Sequence, residues 1–181
     1  MINCKSKIYT DIEIAIMRVA HDGDALKDLE DYRNNKDVVK AAIESLPQAF
    51  SYASEELRDD EEIFLAAISH RDFRAGYGGD IFKHASERLR SDKGVVLQVV
   101  EKDGWCLEFA PDELKADKEI VLKALEGYSQ EFVLQYASDE LKADKEVASK
   151  GWIEYASEDL RADKDFVIKA VSMYGSALEF A

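Results

Sequence analysis

The chain has few of the residues that punctuate irregular folds. Two prolines and nine glycines in 181 residues leave little room for the turn-dense connections of a β-sandwich. Its two cysteines, Cys4 and Cys106, show neither metal-ligand spacing nor the density of a disulfide scaffold. Both are therefore expected to be free thiols in a reducing compartment. No apolar run approaches the roughly 18 residues that span a bilayer. The opening MINCKSKIYTDIEIAI lacks the continuous apolar core and cleavage site of a signal peptide. Bacterial cytoplasm is the expected location, although an effector secreted into a host cell would have the same composition. Positive charge is scarce too: 24 Lys and Arg stand against 38 Asp and Glu, a net charge of −14. Without a basic footprint, neither nucleic acid nor an anionic membrane is an expected direct partner.

Apolar residues make up 46% of the chain and charged ones 34%, enough for a core beneath a dense charged surface and too apolar for a disordered acidic tail. Self-similarity gives the architecture. LRDDEEIFLAAI from Leu57, LKADKEIVLKAL from Leu114 and LRADKDFVIKAV from Leu160 share an apolar anchor, a basic residue, Asp in fourth place and an apolar run. The same frame fits Ile8, Tyr32, Leu89 and Leu141. The fourth place reads Asp11, Asn35, Asp60, Asp92, Asp117, Asp144 and Asp163. A short carboxylate or amide there accepts the free backbone N–H groups that open a helix, and negative charge suits the positive end of the helix dipole. Each unit after the first then ends in an aromatic residue (once histidine) followed by alanine, as at Tyr52-Ala53, His84-Ala85, Phe109-Ala110 and Tyr136-Ala137. This part is expected to form a second short helix of about two turns. Helices this short are marginal alone, so neighbouring units must share a core.

The expected fold is all-α, a right-handed α-solenoid of about seven helix-turn-helix repeats of about 25 residues. It occupies 1–181 as one domain, with repeats starting near 8, 32, 57, 89, 114, 141 and 160. The first unit, with polar Lys27 and Asp28, is expected to act as a polar end cap.

The strings ASDELKADKEVA, ASEELRDDEEIF and ASEDLRADKDFV closely resemble the helical repeats known as domain of unknown function 4116. The resemblance covers residues 29–181 and, more weakly, the first unit. It implies a bacterial protein-interaction scaffold and brings no catalytic residues with it.

Departures from the repeat mark the candidate binding residues. The unit from Leu57 is longer than its neighbours, and the insertion at 73–80 lies in SHRDFRAGYGGDIF. Arg71, Phe73, Arg74 and Tyr77 there give either a tolerated surface loop or a recognition loop. The unit from Leu141 is short, and its Trp152 either fills the volume of a missing turn or stands exposed as an interface anchor. Trp105 lies in a mixed column, which implies partial exposure. Acidic pairs precede the anchors, among them Glu55-Glu56, Asp112-Glu113 and Asp139-Glu140. They either keep the surface soluble or steer a basic partner. The basic residue after each anchor is expected to neutralise part of this charge.

His70-Arg71-Asp72 spells a kinase catalytic tripeptide by coincidence, since no glycine-rich strand loop or DFG accompanies it. Gly76, Gly78 and Gly79 match no phosphate-binding motif. Cys106 reads as an inert core thiol and His84 as a core-edge residue. The three histidines are dispersed, and no cofactor or metal is expected. The leading expectation is a non-enzymatic protein-binding scaffold; the alternative is a small acidic inhibitor, immunity or anti-defence protein that blocks a basic nucleic-acid-binding enzyme.

Overall fold

The computed structural model describes residues 9–70, 73, 78–126, 130–173 and 179. Among these, every regular element is helical and there is no strand. The chain divides into two compact units, Met1–Phe73 with His84–Ser86, and Arg74–Lys83 with Glu87–Ala181.

In the first unit, helix α1 (Asp11–His21) leads through 3₁₀ turns to α2 (Lys36–Ser45). A 3₁₀ helix (Pro47–Tyr52), the single turn α3 (Glu55–Arg58) and α4 (Glu61–Ser69) follow. Helix α2 packs between α1 and α4, and Phe50 meets Phe64 edge-to-face at 5.7 Å. The second unit opens with α5 (Gly78–His84), whose last residue, His84, belongs to the first unit, followed by α6 (Glu87–Ser91) and α7 (Lys93–Lys102). After the 3₁₀ helix Gly104–Phe109 come α8 (Asp112–Lys115), α9 (Lys118–Ala124) and α10 (Gln130–Val133). The 3₁₀ turn Leu134–Tyr136 then precedes α11 (Asp139–Lys142) and α12 (Lys145–Ala148). The turn Ile153–Tyr155 leads to α13 (Glu158–Arg161) and α14 (Lys164–Met173). Helix α9 packs against both α7 and α12.

Each repeat therefore has three parts where the sequence frame predicts two. The anchor leucine sits in its own helical turn, because the preceding serine caps it: Ser54, Ser138 and Ser157 accept from Leu57, Leu141 and Leu160 N–H. The last part is chiefly 3₁₀ rather than α. Buried residues recur every third place, at Pro47, Phe50 and Ala53 and again at Gly104, Leu107 and Ala110, with Ala49 and Cys106 buried beside them. A three-residue period puts them on one side of a 3₁₀ helix.

Six of the seven expected helix caps hold. Asn35, Asp60, Asp92, Asp117 and Asp144 each accept first-turn N–H groups, and Asp163 accepts from Asp165 and Phe166. At the first helix the cap is Thr10 rather than Asp11, because Glu13 closes a capping box with it. Nor does the first repeat present a polar end: Tyr9, Ile12, Ile14 and Met17 are 42–51% exposed.

The cap carboxylates also join repeats. Oδ1 of Asp60, Asp117 and Asp144 serves its own helix, while Oδ2 meets the lysine just after the preceding cap. Lys36 reaches Asp60 and Lys93 reaches Asp117, each at 2.7 Å. Lys118 and Lys145 reach Asp144 and Asp163 at 2.7 and 2.6 Å. Three of these lysines also bind the glutamate two places beyond the cap, Glu62, Glu119 or Glu146, at 2.7–2.9 Å. A main-chain link runs beside this ladder. Ser54, Ser86, Ser138 and Ser157 N–H donate to the carbonyls of Arg33, Arg58, Lys115 and Lys142. Pro111 holds the serine place in its repeat and has no N–H; there Arg90 Nη1 donates to the Phe109 carbonyl at 3.3 Å.

Glycine appears where backbones touch. A Cβ on Gly104 would lie 2.4 Å from the Ala124 carbonyl oxygen, and one on Gly151 2.8 Å from Leu134 Cβ.

Three outcomes are expected. Asp117→Ala removes the oxygen serving Glu119 and Ile120 N–H and should cost about 1 kcal/mol in urea unfolding, whereas Asp117→Asn keeps that oxygen and should cost less. Gly104→Ala should destabilise by about 1–3 kcal/mol, since backbone cannot yield as a side chain can. The third concerns pH. Hydrogen bonding to lysine holds Asp144 below the ordinary carboxyl value of 3.8 and Lys118 above 10.5. Such a rung is complete above the first value and below the second, and is lost as pH falls through the lowered carboxyl or rises through the raised ammonium. The gap in urea midpoint between the wild type and Lys118→Met should be constant from about pH 5 to 9 and close toward about pH 2.

Candidate protein-binding surface

In the second unit the variable column and the aromatic column converge. Trp105 lies in the 3₁₀ helix that Asp103 caps through Trp105 N–H, Phe132 in α10, and Tyr136 and Tyr155 at the ends of their 3₁₀ turns. Phe132 is the centre: its ring lies 5.5 Å from Trp105, 4.7 Å from Trp152 and 6.4 Å from Tyr155. Trp105 also meets Tyr136 at 6.1 Å. These separations and the tilts of 42–60° fall in the range that aromatic quadrupoles favour. All five rings are half-buried, so each contributes to the core and keeps an edge or face toward solvent. Burial, and then Glu108 beside it, pushes the Tyr136 hydroxyl up to about 12.

Trp105 and Trp152 thus belong to one cluster, bridged by a residue that the sequence reading did not single out. The place three residues before the aromatic of the aromatic-alanine pair is held by Cys106 and Val133 in the two preceding repeats, both fully buried, whereas Trp152 there is half-exposed in extended backbone before its 3₁₀ turn. Four-residue α12 is the truncated helix the sequence predicts, and Gly151 brings the chain directly onto Leu134. The indole consequently lies over Phe132.

Phe73 corrects the reading of the insertion. It is fully buried, so its ring contributes to packing and offers no surface contact. Residues 78–80 of the insertion begin α5, and Gly78 is buried. Arg71, Arg74 and Tyr77 lie outside the described residues.

Glu55, Glu56, Asp112, Glu113, Asp139 and Glu140 are all exposed, each at the start of a one-turn helix. The serine-to-carbonyl links set the start of α11 against the end of α8 and the start of α13 against the end of α11. Their acidic pairs consequently follow one another along one side of the second unit. The basic residues after the anchors only partly face them. Lys115 and Lys142 approach Asp112 and Asp139 at 3.9 and 3.5 Å, but Arg58 and Arg90 turn to the carbonyls of His84 and Phe109.

Cys106 is buried and unbridged, and burial drives its thiol well above the ordinary range. Burial also raises Asp103, against its hydrogen bond from Trp105 N–H. Among the described residues, no three His, Cys, Asp or Glu side chains converge as metal ligands, and no helix is long and apolar enough to cross a membrane.

No curated protein and no solved structure is significantly similar to the chain. One family model matches six times in overlapping register, at 11–58, 35–90, 60–115, 92–130, 117–150 and 148–181. The overlaps reflect the tandem frame, in which the second half of one match can open the next. With matches from residue 11 to residue 181, the chain belongs to the family described as a domain of unknown function, DUF4116.

Proposed function

We propose that this protein is a non-enzymatic binding scaffold whose partner is another protein. The observation that carries this reading is the half-exposed cluster of Trp105, Phe132, Tyr136, Trp152 and Tyr155 across consecutive repeats. Tryptophan and tyrosine dominate interface energetics because they bring large area at small entropic cost. Acidic pairs on the same unit favour a partner with a basic surface, which they would steer and orient more than hold. The right-handed coil of about seven units expected from the sequence is part of this proposal, as is a cytoplasmic setting.

A second reading follows from the exposed carboxylate pairs and the net charge of −14. In it, Glu55, Glu56, Asp112, Glu113, Asp139 and Glu140 imitate the phosphates of a nucleic acid and block the cleft of a basic enzyme.

Both are tested by immobilising the full chain, capturing partners from the source organism and titrating them back in purified form. Trp105→Ala, with an unchanged circular-dichroism spectrum, is expected to weaken the captured partner at least tenfold, about 1.4 kcal/mol. An undiminished affinity would overturn the aromatic surface. Binding that survives Trp105→Ala but collapses between about 50 and about 300 mM salt would favour the inhibitor reading.

A further inference from the structure

A groove of about 630 Å³ lies between α7 and α9 in the second unit, built from residues the aromatic cluster does not use. Its centre is apolar: Leu97 of α7 and Leu122 of α9 both line it and are half-buried. Its ends are acidic. Glu101 stands four places after Leu97, while Glu119 stands three places before Leu122 and Glu126 four after it. Helical spacing sets Glu101 and Glu119 about one turn from their leucines, and Glu126 follows in the turn after α9, its N–H donating to the Lys123 carbonyl.

Lysines already bridge these carboxylates, and Lys123 itself lines the groove. Lys123 reaches Glu101 at 2.9 Å and Glu126 at 3.7 Å, and Lys93 reaches Glu119 at 2.8 Å while also bound to Asp117. The three glutamates are still 57–66% exposed, which leaves carboxylate surface for an incoming donor. The volume is that of a ligand-sized pocket, and the valley between two packed helices accepts a third helix along it.

We propose that this groove binds a basic amphipathic helix of a partner protein. One large apolar side chain seats between Leu97 and Leu122, and Lys or Arg one turn to either side faces Glu101, Glu119 and Glu126. The apolar centre supplies affinity in the helix-in-groove mode, and the glutamates reject acidic or uncharged helices. The inference rests on the protein-binding reading above and gives the partner's chemistry at a second site.

The probe is a fluorescein-labelled Leu/Lys peptide of about 15 residues with leucines at one-turn spacing. Its anisotropy is followed against the full-length protein at about 50 and about 300 mM NaCl. The peptide should bind at both salts, and a Ser/Lys peptide of equal charge should bind at least about tenfold more weakly. Glu101→Lys with Glu126→Lys should weaken binding at least about tenfold at the higher salt, whereas Glu55→Lys with Glu56→Lys, an equal charge change elsewhere, should have little effect. Glu126→Gln with Leu97→Ser serves as a milder pair if the charge reversal disturbs folding. Equal loss in the groove and control variants, or equal binding of the serine peptide, would reduce the effect to diffuse acidic attraction and overturn the groove. Trp105→Ala should leave peptide affinity unchanged. A failed groove with an intact Trp105-dependent partner would therefore sink this inference and leave the proposed function standing.

Discussion

Everything else in the fold leans on how the cap carboxylate is shared. In Asp60, Asp117 and Asp144 one oxygen closes the first turn of its own helix while the other receives the ammonium of the preceding repeat. Serine or threonine would cap as well but offers a single oxygen. Aspartate thus couples the start of a helix to the position of its neighbour. That coupling matters because helices of four to ten residues, as α12 and α7 are, gain most of their stability from packing. The lysine side of the pair is absent in the repeat from Leu57, where Glu61 follows the cap; a carboxylate there cannot donate to the next one.

With stacking set by caps, main-chain links and glycine contacts, the half-buried outward positions vary in residue type from repeat to repeat. Trp105 and Phe132 occupy such a place in successive repeats, and Trp152 joins them because α12 is short. The acidic pairs have similar freedom: their backbone opens a helical turn while their side chains extend into water. The cap, serine and glycine positions that repeat and the candidate contact residues are thus largely different sets, as expected where the interior of a tandem repeat recurs while its surface varies.

How much of this could be read in advance depended on the range of the interaction. Caps were legible because each is settled within three residues, and the exception at Thr10 was legible too, since Thr10 and Glu13 have the capping-box spacing. The second short helix was legible in each repeat with an aromatic-alanine pair, but its 3₁₀ type rests on the three-residue period at Pro47, Phe50 and Ala53, which those pairs mask. The lysine rungs were present in strings such as ADKE, but which carboxylate each lysine meets depends on how repeats stack. Trp152 stood between a filler of the missing turn and an exposed anchor, and the half-buried indole shares both roles, because the close approach of Gly151 to Leu134 depends on packing the sequence does not show. Phe73 sat among arginines and glycines, a neighbourhood that resembles surface, and only three-dimensional packing reveals it as core.

Pro111 gives one step of the second unit a different kind of tie. At Ser138 and Ser157 adjacent repeats are tied main chain to main chain by hydrogen bonds of 3.0 Å. At Pro111 the tie runs through the guanidinium of Arg90 to the Phe109 carbonyl, at the end of a side chain with several rotatable bonds. This step therefore lacks a serine-type main-chain bond and is joined through side chains, the Arg90 guanidinium here and the Lys93 ammonium shared by Asp117 and Glu119, so substitution at Arg90 or Lys93 reaches the seam directly.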